Sequence, residues 1–364
     1  MKAFLILANG MTFEGESFGA TGTTVGEVVF NTGMVGYEET LTDPSYYGQI
    51  ITQTYPLVGN YGVNGEDAES ARIWAFGYIV REVCDYPSNF RCKISLDEFL
   101  KQQNIIGISG LDTRRLTKII RESGVMNGAI TTAYATAKDA LADAALMQKI
   151  KAYVVTDAVK TVTTDKIETF NDGGEYHVAL FDLGYKKNIL RNLIKRGCKV
   201  SVVPAMTSVD ELKSMKIDGI MLSNGPGDPA EDAALIANIR EVSEMGLPVF
   251  GICLGHQIMA LATGAKTCKL KYGHRGVNQP VTDFAQNRTY ITSQNHGYAV
   301  IGDMVDTNIA EVSHTNANDG TVEGVRYKNI DCFTVQFHPE ACGGPRDTEY
   351  LFDNFVAMLK GGKQ

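Results

Sequence analysis

Between residues 177 and 263, short apolar runs alternate with amphipathic segments, and no other feature limits the fold so strongly. Apolar runs at 177–183, 199–204, 218–223 and 247–252 alternate with helical patterns at 186–196, 209–215, 231–245 and 255–263. The runs have strand length, and the stretches between them are long enough to cross back over a sheet. That spacing predicts parallel strands with helices on both faces. After Lys266 the pattern turns β-rich, with Asn318-Asp319-Gly320 marking a hairpin, and an amphipathic helix at 347–360 closes the chain.

Residues 1–150 read differently, as a mixed α+β domain. The apolar run 3–8, then Asn9-Gly10, then 11–18 predicts a hairpin with a type I′ turn. Residues 21–62 are rich in Gly, Thr and Tyr without a helical period, so strands and irregular loops are expected, and 73–83 predicts a strand. A helix over 95–103 opens with Ser95 and Glu98, a capping-box pattern. Another over 112–122 gathers Leu116, Ile119 and Ile120 on one face. Arg114, Arg115, Lys118 and Arg121 fall mostly elsewhere and read as a solvated face, with a surface for an acidic partner as the sharper alternative. Residues 151–176, which include Asn171-Asp172-Gly173-Gly174, are assigned as the linker, and 177–364 as the second domain.

A 44% hydrophobic content is enough to fill two cores, and a net charge of -8 argues against a nucleic-acid surface. The run 3–8 is too short for a secretory signal, and no stretch reaches the length of a membrane span. The seven cysteines are odd in number and form no C-x-x-C pair, which points away from a disulfide framework and toward a reducing compartment, the cytoplasm. Apart from Cys253, they (Cys84, Cys92, Cys198, Cys268, Cys332 and Cys342) read as buried core residues. There is no Walker A motif, so ATP chemistry on this chain is unsupported. No metal-ligand spacing stands out among His177, His256, His274, His296, His314 and His338, and no metal is expected here.

Three segments carry chemistry. In Pro248-Val249-Phe250-Gly251-Ile252-Cys253-Leu254-Gly255-His256-Gln257 a strand runs into a helix, and Cys253 sits on the turn between two glycines, the geometry of a nucleophile elbow. The positive end of the following helix favours the thiolate. In Val335-Gln336-Phe337-His338-Pro339-Glu340, positions 338 and 340 project to the same side of an extended chain. Glu340 can then hold one imidazole nitrogen while the other faces Cys253. Ser223-Asn224-Gly225-Pro226-Gly227-Asp228-Pro229 follows a strand, and its glycines allow backbone N–H groups near a ligand, an oxyanion hole completed by Leu254 N–H. The same loop formally fits a dinucleotide fingerprint over Gly225, Gly227 and Ala230, but Pro226 and Pro229 remove donors that a pyrophosphate needs.

Together these segments resemble the class I glutamine amidotransferases, in Gly251-Ile252-Cys253-Leu254-Gly255-His256-Gln257, His338-Pro339-Glu340 and Asn224 to Pro229. Thr292-Ser293-Gln294-Asn295-His296-Gly297-Tyr298 resembles that family's glutamine-binding segment. Gly26 to Thr32, Thr42 to Tyr46, Asp112-Thr113-Arg114, Ala179 to Gly184 and Lys187 to Arg191 are similar to the small subunit of carbamoyl phosphate synthetase. The resemblance implies a small-subunit domain followed by an amidotransferase domain with a central, mostly parallel sheet flanked by helices. It implies Cys253, His338 and Glu340 as the catalytic set, and Ser45, Gly225, Gly227, Leu254, Gln257, Asn295, Gly297 and Tyr298 as glutamine contacts. Many relatives have Phe where Tyr298 stands, which leaves a backbone contact open there. It implies no cofactor on this chain and a large-subunit partner that holds the ATP and divalent-metal sites and consumes the ammonia. Neither nucleic acid nor membrane is expected as a partner. The alternatives are a stand-alone γ-glutamyl cysteine hydrolase of the same fold and a nucleotide-binding module built on Gly225 to Ala230.

Overall fold

The computed structural model describes residues 1–341 and 343–361, so Cys342 lies outside the described residues, and the chain divides into two compact units, Met1–Val155 and Thr156–Gln364. In the first, seven strands close a barrel in the order Lys2–Leu7, Thr12–Gly19, Ile106–Ser109, Gly77–Ile79, Gln49–Gln53, Thr23–Asn31, Met126–Thr131. The opening strand pairs on both sides and is buried from Ala3 onward. Alternate side chains Phe4 and Ile6 pack against Ala140, Leu146 and Ile150 of two helices, Ala137–Ala142 and Ala144–Ala152. Neither helix is among the elements expected from the sequence.

The first hairpin forms, with Leu5 opposite Phe13, but its turn is not type I′. That turn needs positive φ at both central residues, and only Gly10 (φ 84°) has it, while Asn9 spends its side chain accepting the Met11 N–H. Residues 21–62 hold more order than expected. A six-residue helix, Tyr37–Thr42, is entered through left-handed Gly36 and held by tertiary bonds, since the buried Glu38 carboxylate accepts the Asn64 and Gly65 N–H groups. Of the strand expected at 73–83, only Gly77–Ile79 joins the barrel. Both forecast helices are present. Leu96–Gln102 has the complete Ser95/Glu98 capping box, and Thr113–Ser123 is capped by Asp112 and leaves Arg114, Arg115, Lys118 and Arg121 exposed.

In the second unit a ten-stranded sheet runs in the order Glu168–Phe170, Cys198–Pro204, Tyr176–Asp182, Gly219–Leu222, Val249–Ile252, Cys332–Val335, Val322–Tyr327, Ala310–Asn316, Thr267–Asp283, Arg288–Val300. The five strands from Cys198–Pro204 to Cys332–Val335 pair in parallel, and the rest pair antiparallel. Helices cover both faces of the parallel part. One core gathers Leu222, Leu235, Ile239 and Ile258, and the other Ile189, Phe250, Phe352 and Phe355. The stretch expected as a linker carries a helix, Ala158–Val162, and the sheet's edge strand Glu168–Phe170. Cys198 and Cys332 are buried as expected, but Cys84 and Cys92 are half-buried. Cys268 is exposed near the start of a long strand, where sheet pairing leaves one face in solvent. Among the described residues, no helix is long and apolar enough to cross a membrane.

Candidate active site

The parallel strands end together at their carboxyl edge, where ligands of open α/β sheets bind. Ile252, the last residue of its strand, lies opposite Val335, the last of the next, so the turns that follow leave the sheet side by side. Cys253 stands on the first turn, with φ 52° and ψ -102°, at the N-cap of helix Leu254–Ala262. A non-glycine residue there stores strain of order 1–3 kcal/mol, which the surroundings must hold. They do so through the Cys253 N–H, which donates to the Val335 carbonyl at 2.8 Å. The flanking glycines are required by space. A Cβ on Gly255 would lie 2.4 Å from the Leu222 carbonyl oxygen, and one on Gly251 2.8 Å from Thr334. Cys253 is buried, and its thiol reaches the Asn295 carbonyl at 3.7 Å.

The second turn carries His338 and Glu340, both buried. The His338 N–H donates to the Ser293 carbonyl, which fastens this turn to the strand Arg288–Val300. Nδ1 of His338 lies 2.7 Å from Oε1 of Glu340, the i, i+2 pairing expected. Nε2 of His338 is buried and has no hydrogen-bond partner among the described residues. Cys253 and His338 are thus both tied to the Ser293–Asn295 segment, the thiol through Asn295 and the histidine backbone through Ser293.

One partner was not legible in the motifs. Nζ of Lys186 lies 2.6 Å from Oε1 of Glu340, and both side chains are almost wholly buried. Burial alone would raise the Glu340 carboxyl, but the charges of Lys186 and His338 and their hydrogen bonds bring it down to about 2. Asn188, in the first turn of the helix Lys187–Lys195, donates its amide to the Glu340 carbonyl. Lys186 is itself placed by Asn224, whose side-chain oxygen accepts the Lys186 N–H while its amide donates to the Gly184 carbonyl. Asn224 therefore ties the glycine loop to the loop that carries the lysine.

At Gly225 a Cβ would overlap the Leu183 carbonyl oxygen, and at Gly227 (φ 93°) it would meet Ala158. No helix starts at these glycines, since the next one is Ala233–Ser243, capped by Asp232. The dinucleotide arrangement, in which phosphate meets a helix N-terminus at the glycines, is therefore not formed. Leu254 opens its helix, so its N–H is one that a helix leaves unpaired. The Gln257 amide is committed within the protein, donating to the Tyr298 carbonyl at 2.7 Å and to Oε1 of Gln336 at 2.9 Å. Gln336, unflagged by sequence, so locks the His338 turn to the elbow helix. Asn295, Gly297 and Tyr298 share the strand Arg288–Val300, with Lys269 over the Tyr298 ring at 5.8 Å. In the first unit, Ser45 lies on the short 3-10 turn Pro44–Tyr46, where its N–H donates to the Asp43 carboxylate.

Residues 179–358 match the family model for class I glutamine amidotransferases, which sets the class of the second unit. Residues 5–130 match the model for the CPSase domain of the carbamoyl-phosphate synthase small chain. A carbamoyl phosphate synthase small chain of Clostridium perfringens is 50% identical over 357 residues, covering 98% of this chain and 99% of that one. Those of Syntrophotalea carbinolica and Bacillus anthracis are 48% and 49% identical, each over 100% of this chain and 99% and 98% of theirs. The chain belongs to the carbamoyl phosphate synthase small chain family, as its glutamine-hydrolysing subunit.

Proposed function

We propose that this subunit hydrolyses glutamine through a Cys253 thioester and hands the ammonia to a large subunit. Cys253, as thiolate, attacks the side-chain amide carbon, and His338 takes up the thiol proton. The oxyanion is held by the N–H groups of Gly225 and Leu254. His338 protonates the departing nitrogen through Nε2, the C–N bond breaks, and ammonia leaves a γ-glutamyl thioester. Water, deprotonated by the same nitrogen, attacks the thioester, and collapse releases glutamate and restores the thiol. Glu340 fixes the His338 tautomer by taking the Nδ1 proton in a hydrogen bond, and Lys186 keeps Glu340 ionised. Gly227, Gln257, Asn295, Gly297 and Tyr298 are assigned to glutamine recognition, and Ser45 carries over from the resemblance alone.

The observation that supports this reading most is the asymmetry of His338. One nitrogen is bound at 2.7 Å to an ionised carboxylate, and the other is buried and, among the described residues, unpartnered, on the turn that leaves the sheet next to the strained cysteine turn. Ammonia released to neutral water becomes ammonium, which is no nucleophile. The product is therefore assigned to a large subunit that supplies ATP, bicarbonate and divalent metal, with no cofactor for the hydrolysis on this chain. The test is Cys253→Ala in the reconstituted complex. Glutamine-dependent carbamoyl phosphate synthesis should vanish while ammonia-dependent synthesis persists. Retained glutamine hydrolysis would sink the mechanism, and full activity of the small chain without any partner would favour the stand-alone hydrolase.

A further inference from the structure

The antiparallel end of the second unit buries a group of polar side chains that the hydrolysis does not use. His274, His296 and Glu323 come from three different strands, and one ligand-type atom of each lies within 4.8 Å of the other two. The orientation of each ring follows from its outer partner. Nε2 of His274 faces the Asp319 carboxylate at 2.9 Å, and Nδ1 of His296 faces the Tyr298 carbonyl at 2.7 Å. Each outer nitrogen therefore carries the proton, and the inner ones, His274 Nδ1 and His296 Nε2, present lone pairs.

The inner nitrogens meet oxygens. His274 Nδ1 lies 3.5 Å from Oε1 of Glu323, and His296 Nε2 lies 3.0 Å from Oε1 of Gln294. The Gln294 amide cannot simply be turned round. Thr292 donates its hydroxyl to the Gln279 carbonyl and so accepts from Nε2 of Gln294, which leaves the oxygen toward His296. Oε2 of Glu323, on a side chain with no exposed surface, has no hydrogen-bond partner among the described residues. Asn316 donates its amide to Oε1 of Glu323 at 3.3 Å, but with the outer protons so placed no hydrogen lies between His296 Nε2 and the Gln294 oxygen. One extra proton on His274 would satisfy the pair with Glu323 but leave His296 Nε2 against the Gln294 oxygen. A cation among them satisfies all four.

We propose that His274 Nδ1, His296 Nε2, Glu323 and Oε1 of Gln294 form a tetrahedral divalent-metal site suited to Zn2+, which pins the glutamine-segment strand to its neighbours. Two imidazoles and two oxygens are a borderline donor set that fits zinc. Tetrahedral ligands about 2 Å from zinc lie about 3.4 Å apart, and the 3.5 Å and 3.0 Å separations already approach that. The outer shell follows metal-site practice, with a carboxylate on one histidine and a backbone carbonyl on the other. Glu323 and Asp319 supply two negative charges, while the nearby cation Arg275 is turned to the Tyr272 carbonyl. The ligands are scattered from position 274 to 323, so no spacing in the sequence announces them, and the site departs from the expectation of no metal on this chain.

The test uses the full chain carrying Cys253→Ala, so that the active-site thiol cannot ligate. After dialysis against a chelator, Zn2+ is titrated in competition with a chromophoric chelator, and Co2+ is followed by its d–d absorbance. One Zn2+ per chain and the intense bands of tetrahedral Co2+ are expected. Asp319→Asn should weaken binding about 10–100-fold, and Glu323→Gln and His274→Gln should weaken it more. Asp319 is half exposed and bonds His274 and Thr321, so its variant keeps the test open if the ligand variants do not fold. No stoichiometric zinc in the folded protein, or equal zinc affinity in Asp319→Asn and its parent, overturns the site and leaves His274 an ion-paired residue.

Discussion

Glu340 and Glu323 are both wholly buried and both sit beside a histidine, yet their carboxyls are shifted in opposite directions. For Glu340, burial works to raise the carboxyl, but Lys186 and His338 overcome it and hold it near 2. For Glu323, burial also works to raise it. His274, Asn316 and Gln294 pull the other way but do not prevail, and the carboxyl stays above its ordinary value. Depth alone does not set ionisation. A permanent cation at 2.6 Å does, and only one of the two glutamates has it. The glutamate with the lysine is the one placed to orient a base. The other has no lysine beside it and faces His274 at 3.5 Å.

Removing the base should have the largest effect. His338→Asn should lower glutamine turnover by about 10²–10⁴-fold, read as ammonia release, with ammonia-dependent synthesis by the complex retained. Near-normal hydrolysis in that variant would detach the Lys186–Glu340 pair from any catalytic purpose. Next comes the cation. Lys186→Met leaves a buried carboxylate unpaired and should cost about 3–5 kcal/mol in chemical unfolding. The double variant with Glu340→Gln should recover part of that loss, and strictly additive costs would show that the two side chains do not act as a pair. Glu340→Gln alone should reduce turnover less than His338→Asn does, because it removes orientation and leaves the proton carrier in place.

The pH dependence has a defined sign. A carboxyl depressed from 4.5 to about 2 stabilises the fold fully above its unfolded value, and that contribution fades as pH falls toward the folded value. The stability gap between wild type and Glu340→Gln should therefore narrow as pH drops from ~5 toward ~2; a constant gap would mean that Glu340 is not held ionised. The smallest effect is expected at the other glutamate. In metal-free protein, Glu323→Gln should change stability by no more than about 1 kcal/mol, since it leaves no lysine unpaired. A loss as large as that of Lys186→Met would erase the contrast.

Much of the candidate site was readable in one dimension because its pieces are locally determined. Gly251 and Gly255 are dictated by contacts a Cβ could not survive, and the Cys253 turn follows from them. The His338–Glu340 bond needs only two residues on one side of an extended segment, and the Ser95 and Asp112 caps need only a few neighbours. The helix Tyr37–Thr42 has no side-chain cap and is held by tertiary bonds. Ala137–Ala142 and Ala144–Ala152 do carry local caps from Thr136 and Asp143 but are short and bury few residues, so no long apolar period marks them. Tertiary structure alone decided which distant groups meet. It brought Lys186 to Glu340, Gln336 to Gln257, and His274 to His296 and Glu323. Steric and hydrogen-bonding rules between near neighbours act on any chain with those residues. The meeting of distant side chains depends on strand order and register, which are settled only when the whole sheet assembles.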